Sequence, residues 1–180
     1  IWLNEAFATW MEAKVIRGLY PQYGADVDVV TWFQGAMDED ALTTARQIRQ
    51  AITSSHDIEN AFDSITYSKG GAVLEMFERW LGPETFQRGI REYLVSHRFG
   101  VATADDLLAA LSRVAERDVA TPFRTFLNQP GVPLLQASLT CETGSAALHV
   151  TQSRFLPVGS TGERAQTWQI PLCVRHGRGS

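Results

Sequence analysis

Apolar residues recur at helical spacing up to about residue 130 and alternate with polar ones beyond it. Leu3 to Tyr20 is apolar on most faces and predicts a buried helix, ended by Pro21 and Gly24. Residues 25–52 carry a longer, more polar helical pattern, with a break expected near Gly35. Thr53 to Asp63 is polar and turn-like, and Asp63 or Ser64 is placed to cap a helix running to about Leu81. Gly82-Pro83 closes that helix and opens the next, because Gly suits the position past a helix end and Pro the first turn. Phe86, Ile90, Tyr93 and Leu94 form its apolar stripe. Thr103 with Asp106 reads as a capping box, Asp standing in for the usual Glu. Leu107, Leu108, Leu111, Val114 and Ala115 supply the stripe behind it.

After Gln129-Pro130-Gly131 the period changes. Leu139–Glu142, Ala147–Gln152 and Thr167–Val174 alternate apolar and polar residues between Gly- and Ser-rich turns, which predicts strands. Charge shifts at the same place. Residues 1–130 hold 12 basic and 18 acidic side chains, whereas residues 131–180 hold 4 and 2. Two regions are therefore expected, 1–130 helical and 131–180 β. Three strands leave open edges, so the tail reads as the opening of a larger β-domain. The expected fold class is mainly α.

Composition narrows the function classes. The 180 residues are 44% hydrophobic and 20% charged, with net charge −4, which excludes a collagen-like or disordered chain. No apolar run approaches the roughly 18 residues of a membrane-spanning helix, and no signal-peptide pattern opens the chain. A soluble protein is expected, with cytoplasm and periplasm both open and the oligomeric state unreadable. The acidic balance argues against a nucleic-acid partner. Cys141 and Cys173 are too few for a disulfide scaffold. Both fall on predicted strands and read as small buried thiols, or as a disulfide in an oxidising compartment. The chain begins Ile1-Trp2-Leu3 and stops at Gly179-Ser180, so a piece of a longer protein is expected.

Few residues stand out chemically. Glu5 lies on an apolar helix, where a carboxylate needs a cation, a metal or several donors; a structural ion pair or an exposed helix start would also account for it. Thr9, Glu12 and Ile16 follow on roughly the same face. Tyr67 sits in Ile65-Thr66-Tyr67-Ser68-Lys69-Gly70-Gly71. Paired glycines in a helical pattern cost stability, which points to a close approach there. A tyrosine hydroxyl there could donate to a developing oxyanion, or simply be a partly buried, satisfied phenol. Lys69 is one of two lysines against fourteen arginines. His56, His97, His149 and His176 show no zinc-ligand spacing. His56 is expected in a solvated loop and His149 facing outward from a strand. The run Asp38-Glu39-Asp40 reads as a solvated helix face. No nucleophile elbow, P-loop or dinucleotide fingerprint is present.

Three segments together resemble a known family. Trp2-Leu3-Asn4-Glu5-Ala6-Phe7-Ala8 resembles the W-L-N-E-G-F-A segment of the zinc aminopeptidases of the membrane alanyl aminopeptidase family, which are gluzincins. Ala61 to Leu74 is similar to that family's segment around its catalytic tyrosine. Phe126 to Leu134 is similar to its junction between the helical catalytic domain and the following β-sandwich. The resemblance implies the C-terminal helical half of a thermolysin-like catalytic domain followed by the first strands of a β-sandwich.

It also implies roles. Glu5 matches the family's glutamate zinc ligand, which acts with two histidines of an H-E-x-x-H helix about eighteen residues upstream in a His₂Glu site. Tyr67 matches the tyrosine that stabilises the oxyanion. The activity implied is removal of N-terminal residues from peptides by zinc-activated water. The H-E-x-x-H and G-x-M-E-N segments are not in this chain, so the chain alone is expected to be inactive and to lack a complete zinc site. Gly35-Ala36-Met37-Asp38 imitates G-x-M-E-N but stands on the wrong side of the zinc glutamate. Ala6 replaces a Gly. Thr9, one turn beyond Glu5, is placed to support it. The alternative is an aminopeptidase-like scaffold that binds without catalysis. The H-E-x-x-H sequence discriminates between the two, and the presence of both Glu5 and Tyr67 favours the enzyme.

Overall fold

Trp2, Ala6, Trp10 and Ala13 recur along one stripe of helix α1 (Trp2–Leu19), and that stripe is the buried one. The structure, a computed structural model, describes residues 1–142, 145–175 and 177. Helix α1 is less buried than its composition predicts. Met11, Val15 and Leu19 face solvent, because the other elements pack against a single side of it.

A 3₁₀ turn (Pro21–Tyr23) leads into α2 (Ala25–Asp40). Helix α2 runs unbroken through Gly35 and stops at Asp40, twelve residues short of the expected end at 52. Tertiary ties replace the helix after Asp40. Ile48 is buried in the core, the Arg49 N–H donates to the Leu127 carbonyl at 2.9 Å, and Arg46 reaches Asp63. The polar segment after it is not all turn. Ser54 and Asp57 form a capping box that starts a short helix, α3 (Ser55–Glu59).

A π turn (Ile65–Lys69) then runs directly into α4 (Gly70–Leu81). Helices α5 (Pro83–Ser96), α6 (Ala104–Ala115) and α7 (Ala120–Leu127) complete the helical part. Pro83 opens α5 as expected, and the Thr103–Asp106 capping box opens α6. Leu74, Phe77, Phe86, Leu108, Leu111 and Phe123 form the centre of the core. Phe77 of α4 stacks on Phe123 of α7 with ring centroids 4.4 Å apart. The protein is mainly α.

Strands β1 (Pro133–Glu142) and β2 (Ser145–Arg154) form one antiparallel hairpin in the register Pro133↔Arg154 to Glu142↔Ser145. The third expected strand is not formed: Thr167–Val174 is irregular. A side chain does what a ladder would have done. The Gln152 amide donates to the Trp168 carbonyl at 2.9 Å and accepts from the Trp168 N–H at 2.8 Å. Trp168 itself is buried in the core. The hairpin that carries Cys141 is largely exposed, as is Cys173 in the irregular segment, so both are exposed free thiols rather than buried or bridged ones. His149 faces outward from β2, His56 is exposed on α3 rather than in a loop, and His176 lies outside the described residues. Among the described residues no helix is long and apolar enough to cross a membrane.

Candidate active site

The π turn is where α4 meets α1 most closely. Its defining bond runs from the Gly70 N–H to the Ile65 carbonyl five residues back. Such a turn holds one more residue than an α-helical turn, is rare, and is frequent at functional sites. Behind it, Gly70 and Gly71 lie against α1. A Cβ on Gly70 would stand 2.6 Å from the Ala6 Cβ, and one on Gly71 would stand 3.2 Å from the Thr9 Cγ2. The paired glycines thus serve the close approach their pattern predicts. Ala6 is the residue that fills the contact.

Two charged clamps hold the turn. On its leading side, Arg46 Nε donates to Asp63 Oδ2 at 3.0 Å and its Nη2 to Thr66 Oγ1 at 2.7 Å. Asp63 also accepts from the Thr66 N–H at 3.1 Å, acting as the cap expected of it. On the trailing side, Lys69 Nζ lies 2.7 Å from Asp40 Oδ2, and both side chains are more than nine-tenths buried. Asp40 Oδ1 accepts from the Gly131 N–H at 2.8 Å. Asp40 is therefore no part of a solvated face: only Asp38 and Glu39 of that run are exposed. Burial pulls the Lys69 ammonium below its ordinary pKa, opposed by the Asp40 charge and reinforced by Arg154 and Arg46. Removing one partner would leave a buried charge unpaired, at a cost of about 3–5 kcal/mol.

Between the clamps sits Tyr67, half-buried, on the side of α1 that carries Glu5. Hydrogen bonding to the Glu5 carboxylate, then burial, then the carboxylate's charge raise the Tyr67 phenol above its ordinary 10.0. The two site residues expected from the sequence are thus brought together. Glu5 is half-buried and, among the described residues, meets no cationic side chain. Its neighbours across the same helix pair differ. Arg17 forks onto Glu75 at 3.2 and 3.3 Å, and Glu78 accepts from Trp10 Nε1 at 2.8 Å and from Lys14. Those carboxylates are structural ties between α1 and α4. Glu5 makes no such tie to α4. Thr9 does not support it as expected, because its hydroxyl donates to the Glu5 backbone carbonyl at 3.0 Å.

Glu5 cannot hold a metal by itself. Among the described residues no group of three or more His, Cys, Asp or Glu side chains converges. A cavity of about 1050 Å³ lies between α2, α4 and residues 170–173. Lys69 and Asp40 line it, but neither Glu5 nor Tyr67 does. The sequence pattern put Asp40 on a solvated face and gave no sign of Arg46. Only the rarity of lysine pointed towards Lys69.

Comparison with known proteins identifies the family. The peptidase family M1 domain matches residues 1–126. The chain is 35% identical to aminopeptidase 2 of Candida albicans over 96% of its own length and 18% of that protein's. It is 35% identical to aminopeptidase N of Lactobacillus helveticus, covering 96% of this chain and 20% of the relative. It is 32% identical to the alanine/arginine aminopeptidase of Saccharomyces cerevisiae, covering 97% and 20%. The chain therefore spans about a fifth of the length of these relatives. On the match of residues 1–126, the chain belongs to peptidase family M1.

Proposed function

We propose that the whole protein to which this chain belongs is a zinc-dependent aminopeptidase. In this reading the chain supplies one metal ligand, Glu5, and one oxyanion donor, Tyr67. Two histidines of an H-E-x-x-H segment outside the chain complete the ligand set. The single observation that carries the reading is the Tyr67 hydroxyl set against a carboxylate with no cationic partner among the described residues. Membership of family M1 and aminopeptidase relatives support it.

When bound, zinc supplies Lewis acidity toward the scissile carbonyl and the attacking water. The chain's own residues do the rest. Glu5 offers an anionic oxygen donor from a helix anchored by Trp2, Ala6 and Trp10. Tyr67 must be a neutral donor when the carbonyl oxygen gains charge, and a phenol, with an ordinary pKa of about 10, keeps its proton at neutral pH. With a metal held by Glu5, the Tyr67 hydroxyl would be left to donate to substrate. Gly70 and Gly71 let the turn sit close enough to α1 for the two groups to share one site.

The isolated chain, with one ligand, is proposed to be inactive. The test is hydrolysis of aminoacyl p-nitroanilides by the whole protein, before and after chelation and with zinc restored. Loss and recovery of activity is the expected result. Hydrolysis indifferent to chelation would contradict the metal, and absence of hydrolysis by zinc-loaded protein would favour a binding scaffold.

A further inference from the structure

We infer that Asp40 is a positioning residue for the Tyr67 hydroxyl, acting through Lys69. The inference rests on the proposed role of Tyr67. A π turn is a rare, single-turn interruption of an α-helix, and here contacts from other elements bear on its shape. Here the two flanks are fixed by side chains. Arg46 holds Asp63 and Thr66 before Tyr67, and Asp40 holds Lys69 two residues after it. Tyr67 and Ser68, between them, are half-buried.

Asp40 does more than neutralise a cation. One carboxylate oxygen meets Lys69 Nζ at 2.7 Å, and the other accepts from the Gly131 N–H at 2.8 Å. Arg154, at the end of β2, joins the same node. Its Nη2 donates to the Leu42 carbonyl at 2.9 Å, and its side chain packs where a Cβ on Gly131 would stand. The end of α2, the turn bearing Tyr67 and the crossing into the hairpin therefore meet at one buried carboxylate. A donor to a developing oxyanion works only if it is held in place, and a shift of about 1 Å can cost about a hundredfold in rate. Loosening this node should act on the chemical step, with little effect on substrate binding.

The experiment is a mutant cycle in the whole, zinc-loaded protein. Asp40→Asn keeps an acceptor for Gly131 and removes the charge facing Lys69. Expected is a fall in kcat of about tenfold or more, with KM changed less than about twofold and zinc content unchanged. In a Tyr67→Phe background the same substitution should cost less than about a further twofold in kcat, because the group it positions is gone. Equal losses in the two backgrounds, or no loss in the first, would overturn the inference while leaving Tyr67 in its role. A Tyr67→Phe protein with full kcat would overturn the Tyr67 assignment and this inference together. If Asp40→Asn does not fold, Asp40→Leu with Lys69→Met replaces the pair without stranding a charge. That double variant should show the same loss of kcat, and full activity in it would overturn the inference.

Discussion

The Cβ that Gly70 lacks would stand 2.6 Å from the Cβ of Ala6. The neighbour is a helix-borne Cβ rather than the flexible end of a long side chain, so it cannot swing away. Gly70→Ala is predicted to force α1 and the π turn apart and to destabilise the protein by about 1–3 kcal/mol. Ala6→Gly should restore part of that loss when combined with it, even though a mid-helix glycine costs about 0.5–1 kcal/mol by itself. Denaturant unfolding of the two single variants and the double variant checks this. Additive losses would show that the two sites do not share the contact.

Arg46 bonds Asp63 and Thr66 through separate nitrogens, a fork that a single ammonium cannot reproduce. Arg46→Ala is predicted to cost about 2–3 kcal/mol, as loss of charge-assisted hydrogen bonds does. Arg46→Lys should recover less than half of it. Midpoints of thermal unfolding for the three proteins test the ranking.

At the start of α6 the Thr103 hydroxyl and N–H both donate to Asp106, each at 2.7 Å. The hydroxyl, then the N–H and the nearby His97 hold the Asp106 carboxyl below its ordinary 3.8, against a small opposing effect of burial. A carboxyl lowered in the folded state stabilises above its unfolded pKa and loses that contribution as pH falls through the folded one. Thr103→Ala is therefore predicted to cost about 1 kcal/mol at neutral pH as a lost cap. The gap to the unsubstituted protein should narrow as pH falls below 3.8. Unfolding measured from pH 7 down to about 2.5 checks the sign.

Metal binding divides the chain from the whole protein. In the proposed reading Glu5 is one ligand, and a structural or catalytic zinc site needs at least three from protein. Calorimetry on the isolated chain should show no stoichiometric zinc binding. In the whole protein, Glu5→Gln should lower zinc content sharply. Tight one-to-one binding by the chain alone, abolished by Glu5→Gln, would contradict the proposed division of ligands.

What could be read from the sequence was what local chemistry decides. The Thr103–Asp106 box, the Gly82-Pro83 break and the close approach at Gly70-Gly71 each follow from residues within a few positions of one another. The π turn did not show, because Ile65 to Lys69 read as part of the helix expected to run to about Leu81. Asp40 looked like its solvated neighbours; what buries it is Lys69, 29 residues on, and Gly131, 91 residues on. The segment after α2 kept a helical pattern but spends its polar groups on Leu127 and Asp63 instead. Thr167–Val174 alternates like a strand, yet Gln152 satisfies Trp168 through a side chain and no ladder forms. Glu5 and Tyr67 were singled out through the family resemblance of the motifs around them; spacing alone gave no reason to pair residues 62 positions apart.

The pairing of Tyr67 with Glu5 is the centre of the account, and the turnover of a Tyr67→Phe variant of the whole protein tests it most directly. With zinc content unchanged, kcat should fall by roughly a hundredfold or more, as loss of an oxyanion donor does. A zinc-loaded Tyr67→Phe protein with the kcat of the unsubstituted enzyme would contradict it.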